Sequence, residues 1–302
     1  MTLERRSEEA TLDVVIVTAT GCRPHIGPCL ASLRRYPLRQ GRMRVYVVDN
    51  ASTDGTPGYI RSEFPEVELI ALDRNEGFSY ANNIVLRTTK APFVLLLNPD
   101  TEAIEPFLDE MLAAISRRPE VGMAGCRLIL RDGSFDHAAK RSFPTPLSAL
   151  AHFTGVGRRP GAGSSLAQYR ATGLGEHECG PVDAVNGAFM LVRADALRDV
   201  GLLDEGYWLY MEDLDWCRRF GERGWTVWYE GSVTVVHVKG GSSGDGHRSP
   251  RATLAFHRSM GRFYRRYEAG RRPLVDIAVY LAIAGKALIA LARGGIARRR
   301  ST

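Results

Sequence analysis

The stretch "YMEDLDWCRR" places three carboxylates, Glu212, Asp213 and Asp215, within four positions among aromatic and apolar residues. Ionised carboxylates are expensive to remove from water, and an apolar environment makes a carboxylate a stronger base. Such a group suits general-base catalysis, in which a side chain takes the proton of an attacking hydroxyl. The competing interpretation is a solvated helix start, with acids favoured by the helix dipole and Asp215 paired with Arg218 or Arg219.

Polar clusters also follow apolar runs in the first hundred residues. The runs are "LDVVIVTAT", "RVYVVDN", "VELIALD" and "APFVLLLNPD", and helix-like stretches separate them. Uninterrupted β-branched runs alternating with helices predict a parallel sheet covered on both faces. Asp49 and Asn50 end the second run, and Asn98 and Asp100 follow the fourth. Ligands of such sheets bind beyond the carboxyl ends of the strands, although "DNASTDGT" is equally good turn chemistry.

The turn after the first run reads "TATGCRPHIGP", which lacks the GxGxxG spacing of a dinucleotide-binding dehydrogenase. No P-loop pattern occurs in the chain either. The phosphates of a nucleotide then require another partner, and a divalent cation held by carboxylate is the usual one. Asp100 is placed to supply that carboxylate.

Composition is that of an ordinary globular protein of 302 residues, with 44% hydrophobic and 25% charged residues. Five scattered cysteines without CxxC spacing argue against a zinc site and for a reducing compartment. The polar N-terminal residues 1–11 contain no apolar run, so we expect no secretory signal. The net charge is +6, but residues 248–302 alone hold 13 Lys or Arg against two acids. This tail predicts an anionic partner.

Five motifs together resemble the family 2 inverting glycosyltransferases of the GT-A fold, in their rhamnosyltransferase-like branch. They are "VVDNASTDGT", "NEGFSYANN", "LLLNPD", "VNGAFMLVRADAL" and "YMEDLDWCRR", and the resemblance covers about residues 12–241. It implies an α/β GT-A fold with a Rossmann-like central sheet and a C-terminal helical extension. We expect a polar tail (1–11), a glycosyltransferase domain (12–247, with its donor half at 12–100 and its acceptor half at 101–247) and C-terminal helices (248–302).

The resemblance also implies a role for each matching residue. Asp213 aligns with the general base of inverting transfer, which needs no covalent nucleophile. Asp100 and His237 align with ligands of a divalent cation, Mg²⁺ or Mn²⁺. The implied donor-binding residues are Thr18, Asp49, Asn50, Asp54, Asn75, Gly77, Asn82, Asn98 and Asp100. The implied acceptor-binding residues are Asn186, Gly187, Trp208 and Glu212.

The chain departs from the family pattern at two places. Asn98 replaces the first acid of the DxD motif, and a neutral amide adds no charge to a metal site. The loop after the first strand reads "VTATGCRP" where relatives often read something like VTYN, so the nucleotide base is left open. The insertion 143–178 is interpreted as a disordered segment or a functional lid. The glycine-rich loop 240–246 is interpreted as a flexible flap over the diphosphate or a simple linker. Lys239 and His247 are candidate phosphate contacts beside that flap.

Two helical stretches close the chain, a basic amphipathic one at 251–272 and a strongly apolar one at 273–295. Asp276 and Lys286 interrupt the second, which favours a helix that lies on a membrane or packs on the protein over one that crosses the membrane. We expect peripheral association with the cytoplasmic face of the plasma membrane through anionic head groups. No nucleic-acid motif accompanies the tail, so no nucleic-acid partner is predicted. Self-association into a homo-oligomer is left open.

The resulting hypothesis is metal-assisted inverting transfer of a sugar to a polyprenyl-diphosphate-linked saccharide. The best-fitting donor is dTDP-rhamnose, a nucleotide-diphosphate sugar, and the process is assembly of cell-wall or surface polysaccharide. Two alternatives remain at this stage. One is a sugar nucleotidyltransferase, although "TATGCRPH" is a poor phosphate loop for that class. The other is a non-catalytic, membrane-tethered saccharide-binding protein.

Overall fold

The computed structural model describes residues 11–143, 173–239, 249–270 and 272–300, without the side chains of 294–300. A nine-stranded sheet lies at the centre of the described part. Its strands are β1 (Leu12–Thr18), β2 (Met43–Asp49), β3 (Glu68–Ala71), β4 (Phe93–Leu97), β5 (Thr101–Ala103), β6 (Val121–Ile129), β8 (Gly180–Pro181), β10 (Phe189–Arg193) and β11 (Thr226–His237). A separate ribbon pairs β7 (Lys140–Arg141) with β9 (Ala184–Val185). The helices are α1 (Arg23–Arg35), α2 (Thr56–Glu63), α3 (Phe78–Leu86), α4 (Leu108–Ser116), α5 (Ala194–Val200), α6 (Glu212–Glu222), α7 (Pro250–Tyr267) and α8 (Pro273–Arg300).

The first four strands form the parallel half of the sheet that the apolar runs predict. Their order is β3-β2-β1-β4, and every pair among neighbours is parallel. All seven residues of β1 are buried, because helices cover both faces of this central strand. Parallel strands place their carboxyl ends at one edge, so Thr18, Asp49 and Leu97 end side by side.

The second half of the sheet departs from the parallel pattern. β10 runs antiparallel between β4 and β6, and Phe189 at its start pairs with Leu97 at the end of β4. The turn that precedes β10 therefore lies at the carboxyl end of β4. This reversal brings Asn186 and Gly187 to the edge where Asn98 and Asp100 leave the sheet.

The sheet separates two hydrophobic clusters. Leu12, Val14 and Ile16 of β1 point into one cluster, which also contains α1, α2 and α4. Val15 and Val17 point into the other, which contains α3, α5, α6 and part of α7. Alternation along the strand thus builds a three-layer α/β domain.

The C-terminal helices form a pair on the second layer. Phe263 of α7 belongs to the second cluster, while Arg262 and Arg266 of α7 pair with Asp204. These arginines of the predicted basic face therefore dock α7 on the domain. α8 packs on α7 through Tyr264, Val279 and Ile283 rather than on the sheet.

Candidate active site

Asp213 lies in the first turn of α6 and is held by three donors. Its Oδ2 accepts the backbone N–H of Gly187 at 3.0 Å and Nη2 of Arg141 at 2.5 Å. Its Oδ1 accepts the backbone N–H of Leu214 at 2.8 Å. The side chain is mostly but not fully buried, at 12% exposure. The carboxylate is thus fixed beside the turn that precedes β10, and its role as a general base stays a prediction.

Glu212 beside it has a different environment. It is buried, and its Oε2 has no hydrogen-bond partner among the described residues. Desolvation, followed by the charge of Asp213, raises the pKa of Glu212 well above its usual value. Burial therefore favours the neutral acid at Glu212.

Asp215, the third acid, has a structural role. It is fully buried, and its Oδ2 accepts Nε of Arg219 at 2.9 Å. Its Oδ1 accepts the hydroxyl of Tyr267 from α7 at 2.8 Å. Of the two partners considered from the sequence, Arg219 is the one that pairs with Asp215. The hydrogen bond from Tyr267 ties α6 to α7.

The residues just before α6 have a strained backbone. Tyr210 and Met211 have φ angles of 68° and 69°, which residues other than glycine rarely adopt. Helix α7 supports this segment, because the Ser259 hydroxyl donates to the carbonyl of Leu209 at 3.0 Å and Phe256 packs edge-on against Tyr210. Helix α7 thus helps to position the strained entry to the helix that carries Asp213.

A second pair of side chains, Asp100 and His237, meets near the carboxyl end of β4. Nε2 of His237 lies 3.5 Å from Oδ1 of Asp100, and both side chains are buried. Burial opposes protonation of His237, but hydrogen bonds to Asp100 and Asp136 and their charges outweigh it and raise its pKa to about 9. The described residues contain no group of three or more potential metal ligands.

The pair fits a divalent cation that takes its remaining ligands from a diphosphate. With ligand distances of about 2.1 Å, a carboxylate oxygen and an imidazole nitrogen 3.5 Å apart can share one ion. Oxygen and imidazole donors suit Mn²⁺, and a diphosphate commonly completes the shell of Mg²⁺ or Mn²⁺. A cation bound here would compete with the proton on His237.

Backbone hydrogen bonds connect the two groups of residues. The N–H of Asn98 donates to the carbonyl of Ala188 at 3.0 Å, next to Gly187, which contacts Asp213. The N–H of Val238 donates to the carbonyl of Asp100 at 2.8 Å. Asp100 and Asp213 are therefore both linked by hydrogen bonds to the residues around the carboxyl end of β4.

Several predicted donor-binding side chains are engaged within the protein. Thr18 donates to Oδ1 of Asp49 at 2.8 Å, and Asn50 bridges to the next loop by donating to the carbonyl of Gly77 at 2.9 Å. Asp54 accepts the backbone N–H of Gly21 at 2.6 Å. These contacts shape the loops at the strand ends, and direct donor contacts by these side chains stay predictions.

The remaining predicted residues line the same edge or support it. Asn75 accepts the N–H of Gly77 at 3.1 Å, while Asn82 donates to a carbonyl in its own helix at 2.9 Å. Asn186 accepts the N–H of Ala188 at 2.8 Å and so shapes the turn before β10. Asn98 is half-buried at the end of β4.

Trp208 is half-buried, and its indole N–H donates to the carbonyl of Asn75 at 3.4 Å. The guanidinium of Arg251 lies 4.3 Å from the ring centroid, so it covers one face of the indole. An acceptor sugar that stacked on Trp208 would therefore use the other face of the indole. Most of the insertion 143–178 lies outside the described residues, as do the glycine-rich loop 240–246 and His247.

Three residues of this site escaped the sequence analysis: Arg141, Asp136 and Arg251. Arg141 contacts Asp213, 72 positions away, and Asp136 contacts His237, 101 positions away. Arg141 and Asp136 themselves lie in segments without a recognisable motif. Arg251 belongs to the basic stretch that we interpreted as facing an anionic surface. Only the two-residue pairing of β7 with β9 brings Arg141 to Asp213, and so short a ribbon leaves no signal in the sequence.

The model of glycosyl transferase family 2 matches residues 14–177 of the chain. The N-acetylglucosaminyl-diphospho-decaprenol L-rhamnosyltransferase of Mycobacterium tuberculosis is 33% identical over 257 residues, which span 82% of this chain and 81% of the relative. The low-salt glycan biosynthesis hexosyltransferase Agl10 of Haloferax volcanii is 26% identical over 61% of this chain and 55% of its own length.

Solved glycosyltransferases have the same architecture. A mannosyltransferase from Pyrobaculum calidifontis in complex with GDP-Man and Mn²⁺ superposes with a TM-score of 0.57 at 18% identity, over 98% of this chain and 77% of that one. GalNAc-T7 with UDP, GalNAc and Mn²⁺ gives a TM-score of 0.60 at 14% identity, over 86% of this chain and half of that one. The predicted fold class is confirmed. The chain therefore belongs to glycosyl transferase family 2 and adopts the GT-A glycosyltransferase fold.

Proposed function

We propose that this glycosyltransferase moves rhamnose from dTDP-rhamnose to a polyprenyl-diphosphate-linked saccharide, with inversion at the anomeric carbon. The observation that carries the proposal is the arrangement around the end of β4. Gly187, in the turn before β10, and Arg141 fix Asp213, while Asp100, three residues after the end of β4, meets His237. The rhamnosyltransferase of M. tuberculosis, whose name specifies a lipid-diphosphate acceptor, supports the sugar and acceptor classes.

In this reaction Asp213 takes the proton of the acceptor hydroxyl as that oxygen attacks the anomeric carbon. The three donors to its carboxylate restrict its rotation, so the oxygen that faces the acceptor is held in place. Glu212, as a neutral acid, can donate a hydrogen bond to a second acceptor hydroxyl. Loss of the nucleotide diphosphate on the opposite face needs no enzyme nucleophile.

Asp100 and His237 would hold a divalent cation, Mg²⁺ or Mn²⁺. When bound, such an ion neutralises the charge that develops on the leaving diphosphate. The solved structures of the mannosyltransferase and of GalNAc-T7, which share this fold, contain Mn²⁺, and this supports the assignment. Asn98 lies where a second acid is common, so the site depends on the single carboxylate of Asp100 and on His237.

The acceptor would be held at the cytoplasmic face of the plasma membrane by helix α8. This helix is long and apolar enough to cross a membrane, and most of it is exposed. Leu274, Ile277, Leu281 and Leu288 recur on one exposed stripe. Val279 and Ile283, on the opposite stripe, pack against α7.

The two charges that interrupt the apolar sequence lie on the stripe facing α7. Asp276 accepts the hydroxyl of Tyr264 at 2.6 Å and the N–H of Gly270 at 2.9 Å. Lys286 follows Ile283 by three positions and lies on that same stripe. The outward stripe is therefore apolar from Leu274 to Leu288, and the arginines after it suit anionic head groups. Peripheral binding along this stripe accounts for both features.

Transfer assays with the purified full-length protein test the function. A panel of dTDP-, UDP- and GDP-sugars is offered together with a short-chain polyprenyl-diphospho-N-acetylglucosamine. We expect rhamnosyl transfer from dTDP-rhamnose that EDTA abolishes and Mg²⁺ or Mn²⁺ restores. Transfer of another sugar would replace rhamnose in the proposal, and absence of transfer from every donor would favour the non-catalytic saccharide-binding alternative.

A further inference from the structure

Asp136 is a buried carboxylate that lies in the segment between β6 and β7, far in sequence from every motif. It is 1% exposed, and three donors occupy its two oxygens. Oδ2 lies 3.0 Å from Nδ1 of His237. Oδ1 accepts Nζ of Lys239 at 2.6 Å and the backbone N–H of Ala138 at 2.9 Å. The carboxylate is thus engaged on the side of the His237 ring that faces away from Asp100.

This contact decides which nitrogen of His237 faces Asp100. With Nδ1 turned to Asp136, Nε2 is left 3.5 Å from Oδ1 of Asp100. A histidine that binds a cation through Nε2 needs its proton on Nδ1, and a carboxylate that accepts this proton fixes both the tautomer and the plane of the ring. Lys239 and Ala138 in turn fix the carboxylate.

We propose that Asp136 is a positioning residue for the divalent cation: it orients His237 towards Asp100 without binding the ion itself. The inference rests on the proposed metal-assisted function. Lys239, which the sequence suggested as a phosphate contact, also donates to Asp136 and can anchor its carboxylate. A merely structural carboxylate that closes the segment after β6 would leave metal affinity unchanged once the protein is folded.

A metal-binding assay distinguishes a positioning role of Asp136 from a merely structural one, without any assay of sugar transfer. Mn²⁺ is titrated into the full-length protein with one equivalent of dTDP, and free Mn²⁺ is measured by electron paramagnetic resonance. We expect Asp136→Asn to bind Mn²⁺ roughly 10- to 100-fold more weakly than the wild type. The matched control is Asp132→Asn in the same segment between β6 and β7, because Asp132 is exposed and its carboxylate accepts hydrogen bonds from Ser134 rather than from a site residue. This control should bind Mn²⁺ like the wild type.

The possible failures are distinguishable. A wild-type protein that binds no Mn²⁺ would overturn the metal site and this inference with it. A wild type that binds Mn²⁺, with a folded Asp136→Asn variant of equal affinity, would overturn the inference alone.

A second measurement needs no variant and covers the case in which Asp136→Asn does not fold. Nitrogen-15 NMR of the His237 imidazole in the Mg²⁺-saturated wild type should show the proton on Nδ1. A proton on Nε2 instead would contradict the proposed role of Asp136.

Discussion

Replacing Gly77 by alanine tests how the two halves of the site are held together. Gly77 has φ 94° and ψ 173°, a region that is almost restricted to glycine. A Cβ there would lie 2.4 Å from the carbonyl oxygen of Trp208 and 2.5 Å from Cδ1 of its ring. The next residue, Phe78, donates its N–H to the same carbonyl at 2.8 Å. The substitution therefore strains the backbone and also separates the Gly77 turn from the Trp208 segment.

The expected loss of stability follows from these contacts. Backbone strain in this region costs about 1–3 kcal/mol. Overpacking against a carbonyl adds roughly 1–3 kcal/mol, and a weakened backbone hydrogen bond about 1 kcal/mol. We therefore expect Gly77→Ala to lower the free energy of unfolding by roughly 3–7 kcal/mol, which reaches the exceptional end of the range for single substitutions.

The matched control is Gly133→Ala. Gly133 also has a positive φ, 82°, but a Cβ there meets nothing within 4 Å. Its replacement should cost only about 1–2 kcal/mol, the conformational term alone. Urea unfolding of both variants and of the wild type measures the difference. If the losses of unfolding free energy in Gly77→Ala and Gly133→Ala differ by less than about 1 kcal/mol, the contact with Trp208 is not what requires glycine at position 77.

Two further outcomes are expected. Because desolvation and the charge of Asp213 raise the pKa of Glu212, its contribution to stability is full below the ordinary value of 4.5 and falls as the pH rises towards the folded-state pKa. Glu212→Gln removes this loss, so the melting temperature of the variant minus that of the wild type should increase from pH 5 to pH 8; a difference independent of pH would contradict the raised pKa. On helix α8, the double variant Leu281→Glu and Leu288→Glu should reduce co-sedimentation with anionic vesicles roughly hundredfold, since each leucine contributes about 1.5 kcal/mol or more to burial in lipid. Leu254→Glu, an exposed leucine of α7 outside this stripe, should leave vesicle binding unchanged, and equal binding by the double variant would argue for another occupant of the stripe, such as a second copy of the chain.

The parallel half of the sheet could be predicted because its strands correspond to uninterrupted apolar runs in the sequence. In β1 every residue is buried, so an uninterrupted apolar run in the sequence predicts the strand. The antiparallel insertion of β10 between β4 and β6 could not be predicted in this way. It depends on pairing between segments about 95 positions apart, and periodicity records only local order.

The site was predictable to the extent that its residues belong to motifs. Asp213, Asp100 and His237 were selected by motif, and the structure places them around one end of β4. The partners that orient them, Arg141 and Asp136, come from segments whose sequence resembles ordinary loops. Adjacent residues also differ in ways that the sequence does not encode. Among the described residues, one oxygen of Glu212 has no hydrogen-bond partner, while Asp213 accepts hydrogen bonds from three donors.

Substitution of Asp213 by asparagine tests the central claim most directly. Asparagine keeps the size of the side chain but cannot accept the proton of the acceptor hydroxyl. Transfer from dTDP-rhamnose is measured in parallel with binding of the donor in the presence of Mg²⁺, with Asp132→Asn as the control. We predict at least a hundredfold lower kcat for Asp213→Asn, within the typical range for a lost general base, and unchanged donor binding. Transfer at the wild-type rate by the folded Asp213→Asn variant would contradict the account.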